Sequence, residues 1–282
     1  MRNPQRSQKI AFFFLFLATL LIVIPVGLIV VIIIQKGLPA INWQFLSDIP
    51  RQGMRTGGIF PAIIGTLYLV MGAIIFALPI GLLAAIYLSE YAKDNIINRI
   101  IRLAIVNLSG VPSVVYGLFG LALFVVFLKF GASILSGSLT LGIMILPIII
   151  TTSREALESV PQSFREVSLS LGASKWQTIR HIVLPNAIPG VLTGTILGLG
   201  RAAGETAPIL FTVAAFYLPQ LPKSIFDQAM ALPYHLYVIS TQVPNVDEKV
   251  RYGTALVLLS LVLFMNLVAI IIRYNFRKKK KW

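Results

Sequence analysis

Residues 154–185 read REALESVPQSFREVSLSLGASKWQTIRHIVLP, and long apolar runs stand on both sides of them. Ser163-Phe164-Arg165-Glu166 fits a capping box, in which the serine side chain accepts a backbone N–H and the glutamate reaches back. Gly172 suits the left-handed residue that closes a helix. Ser174-Lys175-Trp176-Gln177 fits a second box, and Pro185 marks where the next helix must stop or begin anew. The spacing predicts two short helices joined by a tight glycine turn. Basic residues on such a pair could suggest a DNA-binding element, but its place between two membrane spans argues against that. As the only sizeable structured surface on its side, it suits docking of another protein.

Outward from this loop, six stretches are apolar enough to cross a hydrocarbon core of about 30 Å, which takes about 20 residues. They run over 10–34, 59–88, 100–128, 139–152, 186–218 and 253–272. The fourth is short, with Ser153 to Leu157 available to extend it. The second, third and fifth carry Gly and Pro. The expected fold is all-α. Residues 1–58 supply the first span and an external loop, 59–273 the core, and 274–282 a basic tail.

Composition agrees. The chain is 57% hydrophobic and only 12% charged, with a mean hydropathy of +0.85. A soluble domain carries about 25% charged residues. The net charge of +14 resides in short loops and tails, so it does not call for a nucleic acid. Cysteine is absent, which excludes disulfides, thiol catalysis and thiolate metal sites. His181 and His235 are far apart in sequence, and no metal site is expected. The first span follows Arg2, Arg6 and Lys9 but is too long for a signal-peptide core, so it reads as a retained helix. With a cytoplasmic N-terminus, that side receives 16 Lys and Arg against 7 opposite, Arg201 being left inside a span. This is the positive-inside sense, with both termini and the loop in the cytoplasm. The cluster Arg277 to Lys281 reads as a stop-transfer anchor, with anionic lipid recognition as the alternative.

Glu166-Val167-Ser168, Gly172 and Ile182-Val183-Leu184-Pro185 stand at the spacing of the EAA loop, and the chain here resembles the permeases of ABC importers. The family pattern has Ala-Ala where this chain has Val167-Ser168. The resemblance implies a type I ABC importer permease fold in which Glu166, Gly172, Ala173, Leu184 and Pro185 belong to an ATPase-coupling element. No Gly-x-x-x-x-Gly-Lys-Ser/Thr segment occurs, so ATP would be hydrolysed by another polypeptide and no cofactor bound by this one.

The fifth span carries Gly200-Arg201-Ala202-Ala203-Gly204-Glu205-Thr206. Arg201 lies about 22 Å along a helix beginning near Asn186, past the midplane. A charge there should face protein or water. Arg201 and Glu205 share a helix face, so an intrahelical pair competes with a role in the substrate path. Burying a pair gains little over two neutral residues, and a guanidinium suits phosphate. Gly190, Gly194 and Gly198, like Gly200 and Gly204, read as close helix packing, Gly204 also leaving room for an ion. The third span's 109–120 segment, SGVPSVVYGLFG, breaks where backbone could line a cavity or simply kink, making Ser109, Pro112 and Ser113 pore-lining candidates.

That segment and Arg201 to Pro208 together resemble the permeases of the phosphate-specific importer, its A subunit more than its C subunit. The resemblance implies that Arg201 and Glu205, with Thr206 beside them, serve phosphate passage. It also implies a sister permease, two identical ATPase subunits and an external phosphate-binding protein meeting the 35–58 and 218–252 loops. A permease for another oxyanion such as molybdate and a secondary anion transporter are the rivals. A membrane enzyme is remote, since paired intramembrane carboxylates are lacking and no catalytic residue stands out.

Overall fold

The computed structural model describes the backbone of residues 4–278 and the side chains of 8 and 11–278. Arg2 and the lysines after Lys278 lie outside the described residues. The first span is α1 (Pro4–Gly37), followed by a short α2 (Trp43–Ser47) and a hairpin of β1 (Pro50–Arg51) and β2 (Thr56–Gly57). Then come α3 (Phe60–Ile86) with a wider π-helical turn at Tyr87–Tyr91, α4 (Ile96–Ser109) and α5 (Ser113–Gly120), which continues as a π-helix over Leu121–Phe127. Next are α6 (Ile134–Glu158), α7 (Gln162–Ser170), α8 (Lys175–Thr178), a π-helical Ile179–Val183 and α9 (Leu184–Gly204). Last are α10 (Ala207–Thr212), α11 (Leu232–Thr241) and α12 (Glu248–Lys278). The chain is an all-α polytopic membrane protein.

Among the described residues five helices are long and apolar enough to span a membrane, and α4 with α5 makes a sixth, bent by 101°. The third span is therefore not one straight helix. Pro112 lacks an N–H, and its ring would collide with the carbonyl four residues back, so the helix ends at Ser109 and restarts at Ser113. The fourth span is not short. Ser133 accepts the Ser136 N–H at 3.2 Å and starts a helix that reaches Glu158.

The fifth span also departs from expectation at both ends. It begins at Lys175 and passes through Pro185, where the π-helical widening at Ile179–Val183 makes room for the proline ring. It stops at Gly204 instead of continuing to 218, because Pro208 stands four residues beyond. Beyond α10 the chain runs through bends and turns, held by a bridge between Ala214 and Ala229. The 218–252 segment is likewise more than a loop: the Leu232 N–H donates to Thr66 Oγ1 at 2.8 Å, which ties α11 to α3 in the core.

Helix α6 is the centre of the bundle, with α3 on one side and α9 on another. Small residues set the α6–α9 approach. A Cβ added at Gly190 would meet Ala156 and one at Gly194 would collide with Thr152, whereas one at Gly198 would sit 3.5 Å from Ile145. We therefore expect Gly194→Ala to lose about 1–3 kcal/mol by overpacking. Gly198→Ala should be neutral or slightly stabilising, since alanine favours helix by about 1 kcal/mol. Thermal unfolding of the two variants in detergent checks the contrast, and equal melting temperatures would refute it. A Cβ at Gly200 would stand 3.4 Å from Asn266 on α12, an ordinary contact, and nothing stands within 4 Å of one at Gly204, so neither position imposes the close helix approach expected of it.

Candidate functional site

Two regions carry chemistry: the loop end of the bundle and the interruption of α9.

At the loop end, α7 begins after Pro161 with no side-chain cap, so the box at Ser163–Glu166 does not form. The helix starts one residue before Ser163, which leaves that serine inside the first turn. Its end is as expected. Gly172 adopts φ +84. Its N–H donates to Leu169 O at 3.0 Å and the Ala173 N–H to Ser168 O at 3.2 Å, the pairing of a Schellman turn. Ser174 and Gln177 complete the second box, with Ser174 N to Gln177 Oε1 at 2.7 Å and Gln177 N to Ser174 Oγ at 3.3 Å. Ser168 is buried, and its hydroxyl lies 2.8 Å from Thr178 Oγ1, which locks α7 to α8. A small residue is required there; Val167, beside it, is exposed.

Glu166 is exposed and lines a cavity of about 350 Å³ with Glu90, Glu158, Arg165 and Lys175. Ala173 is half-buried, and Leu184 packs beside Val183 and Ala187 over the end of α3. Val167, Leu171 and Trp176 present an apolar face outward.

Arg165 is the residue that local patterns missed. Its Nη2 lies 2.7 Å from Glu90 Oε1, and its side chain is 12% exposed against 7% for Glu90. Nη1 also donates to Val160 O at 2.7 Å and Nη2 to Leu157 O at 2.8 Å. One guanidinium thus fastens α7 to the end of α6 and to the last turn of α3. The sequence signal was a single carboxylate, Glu90, at the end of an apolar span.

The second region lies where α9 stops. Arg201 occupies its last turn, where a cation faces the negative end of the helix dipole. Glu205 follows as the C-cap with extended backbone, φ −79 and ψ 133. The two are not on one continuous helix, though they remain paired, with Arg201 Nε 3.5 Å from Glu205 Oε1. Among the described residues this is the one ion pair of Arg201, and its side chain is 30% exposed against 19% for Glu205. Thr206 is half-buried and precedes α10 without capping it. From the contacts of Gly190, Gly194 and Gly198, residues 201–205 lie level with the half of α6 nearer Ile134.

The α4–α5 break meets this point. Tyr116 is buried and donates to Leu108 O at 2.7 Å across the break. A Cβ at Gly117 would stand 3.0 Å from Ala207 O and from Pro208 Cα. Ser109 turns its hydroxyl back onto Val106 O at 2.6 Å, Pro112 is exposed and Ser113 half-buried. Of the third span, Gly117 is the residue the structure brings against the start of α10, just beyond Arg201 and Glu205. Two interrupted helices side by side, with a charge between them, match the way transporters build binding sites from broken helices.

At the opposite end, Asp247, Lys249, Asn42 and Arg55 line a cavity of about 370 Å³. The Lys249 ammonium beside Asp247 holds its carboxyl below the usual range, and the Ile49 N–H does the same for Asp48. This face therefore keeps both signs of charge.

Residues 77–282 match the family described as binding-protein-dependent transport system inner membrane component. The chain is 34% identical over 266 residues to a probable ABC transporter permease protein, YqgI, of Bacillus subtilis, covering 89% of this chain and 90% of that one. It is 33% identical over 282 residues to the phosphate transport system permease protein PstA 1 of Mycobacterium tuberculosis, covering 98% and 90%. An inward-facing structure of the MetNI methionine ABC transporter superposes with a TM-score of 0.62 at 17% identity, covering 76% of this chain and 94% of that one. A bacterial ABC transporter that imports the acidic polysaccharide alginate gives 0.60 at 16% identity, covering 94% and 98%.

Proposed function

Since the chain belongs to the family of binding-protein-dependent transport system inner membrane components, we propose that it forms half of the path for inorganic phosphate uptake in an ATP-driven importer of the bacterial cell membrane. It is a multi-pass membrane protein and a type I ABC importer permease, a transporter subunit and not an enzyme. The observation that carries the phosphate reading is the pairing of Arg201 with Glu205 at 3.5 Å in an interrupted span, with both side chains partly open. The likeness over nearly the whole chain to a phosphate transport permease supports it.

In this reading an external phosphate-binding protein delivers the anion to a cavity between this chain and a sister permease. Arg201 offers a bidentate cationic partner, and Glu205 keeps the anion from being held too tightly. Two ATPase subunits bind and hydrolyse ATP, and their closure moves the element around Glu166 and Gly172. Arg165 passes that movement to α3 and α6, and α8 passes it to α9. The loop and both termini then face the cytoplasm, in line with the distribution of Lys and Arg.

The test is reconstitution of the complex in vesicles with its ATPase and binding protein, measuring which anion stimulates ATP hydrolysis and enters. Phosphate should do both. Stimulation by molybdate in place of phosphate would reassign the substrate and leave the importer standing. Uptake driven by an ion gradient without the ATPase would remove the coupling mechanism.

A further inference from the structure

A groove of about 240 Å³ lies at the loop end between α4, α6 and the last turn of α3. Arg99 and Arg102 enter it from the first half of α4, and Thr151 and Arg154 from α6. Leu103 and Val106 continue the same face of α4 away from the arginines, at helical spacing. The mouth is cationic and the floor apolar.

The arginines are only partly neutralised. Arg102 Nε and Arg154 Nε are buried without a hydrogen-bond partner. The carboxylate beside Arg154 is that of Glu158, 3.6 Å from its Nε and half exposed. Among the described residues, neither Arg99 nor Arg102 has an ion-pair partner. A buried N–H of a cation without an acceptor is costly, and a phosphate oxygen would satisfy it. Basic pockets between membrane helices on the cytoplasmic side suit anionic headgroups.

We infer that this groove binds a phosphate-bearing anion, with Arg99, Arg102 and Arg154 holding its oxygens and Leu103 and Val106 receiving an acyl chain. The shared chemistry fits an acidic phospholipid headgroup or free phosphate, and the apolar floor favours the lipid. The site stands apart from Arg201 and does not depend on what the pathway carries.

The test uses the full chain purified in neutral detergent. Phosphatidylglycerol and phosphatidylcholine are titrated and bound lipid is counted by native mass spectrometry. Radiolabelled inorganic phosphate is followed by equilibrium dialysis. Wild type should retain phosphatidylglycerol over phosphatidylcholine, whose ammonium offsets its phosphate. Arg102→Gln should weaken that retention by about tenfold or more, as loss of a charge-assisted hydrogen bond does. Arg99→Gln, at an exposed position, gives the same answer should Arg102→Gln fail to fold. Lys129→Gln, between α5 and α6 at the opposite end, should change nothing. Phosphate binding that is lost in these arginine variants, without lipid retention, assigns the same site to the free anion. Equal retention of the two lipids together with unchanged phosphate binding in the arginine variants would overturn the site.

Discussion

Arg165→Met should destabilise the protein by about 3–5 kcal/mol and abolish coupling of ATP hydrolysis to uptake. The substitution leaves Glu90, only 7% exposed, as an uncompensated carboxylate, and removal of one partner of a buried pair costs that much. It also strands Leu157 O and Val160 O, both of which accept from the guanidinium. A charge swap, Glu90→Arg with Arg165→Glu, should fail to restore stability because a carboxylate cannot donate to those carbonyls. Lysine at 165 should recover part of it, having charge but no planar fork. Thermal unfolding in detergent and the ratio of phosphate transported to ATP hydrolysed in vesicles read the two effects. A melting temperature within a degree of wild type for Arg165→Met would show that the pair is not what holds α7 in place.

Arg201→Gln should leave assembly intact and lower phosphate uptake by at least about tenfold. A hydrogen bond to a charged group contributes about 1.5–3 kcal/mol, and the path would lose its cationic partner. The structural loss is small, because the contact with Glu205 is a single 3.5 Å approach between partly exposed groups, and such pairs contribute about 0–1 kcal/mol. Recruitment of the ATPase subunit should be unchanged, since the loop end is remote from the α9 break. Uptake in vesicles with external phosphate-binding protein, compared with ATPase co-purification, separates the two consequences. Full uptake by this variant would remove Arg201 from the pathway.

What could be read in advance divides by distance along the chain. Gly172 and the Ser174–Gln177 box were legible because their hydrogen bonds close within a few residues. The box at Ser163 was misread for an equally local reason: Pro161 starts the helix earlier and takes the cap position. Both span breaks had their cause in plain view, one turn ahead of Pro112 and Pro208. Yet Pro147 and Pro189 lie inside helices that continue, so proline alone does not say which helix will break. The pairing of Arg165 with Glu90 crosses 75 residues, and no spacing rule reaches that far. The meeting of Gly117 with Ala207 and Pro208 was hidden in the same way. Arg201 itself stood out because a guanidinium in an apolar span needs a reason to be there.

The continuous helix from Lys175 to Gly204 has a mechanical corollary. Thirty residues at 1.5 Å make a shaft about 45 Å long, with Trp176 near one tip and Arg201 near the other. A stiff shaft conveys twist as readily as push, so a few degrees of rotation imposed on its lower tip swing the guanidinium sideways without any sliding of the span. Two places can soften that torque, the widened coil at Ile179–Val183 and Pro189, whose missing N–H opens one rung of the ladder, and both lie between Trp176 and Arg201.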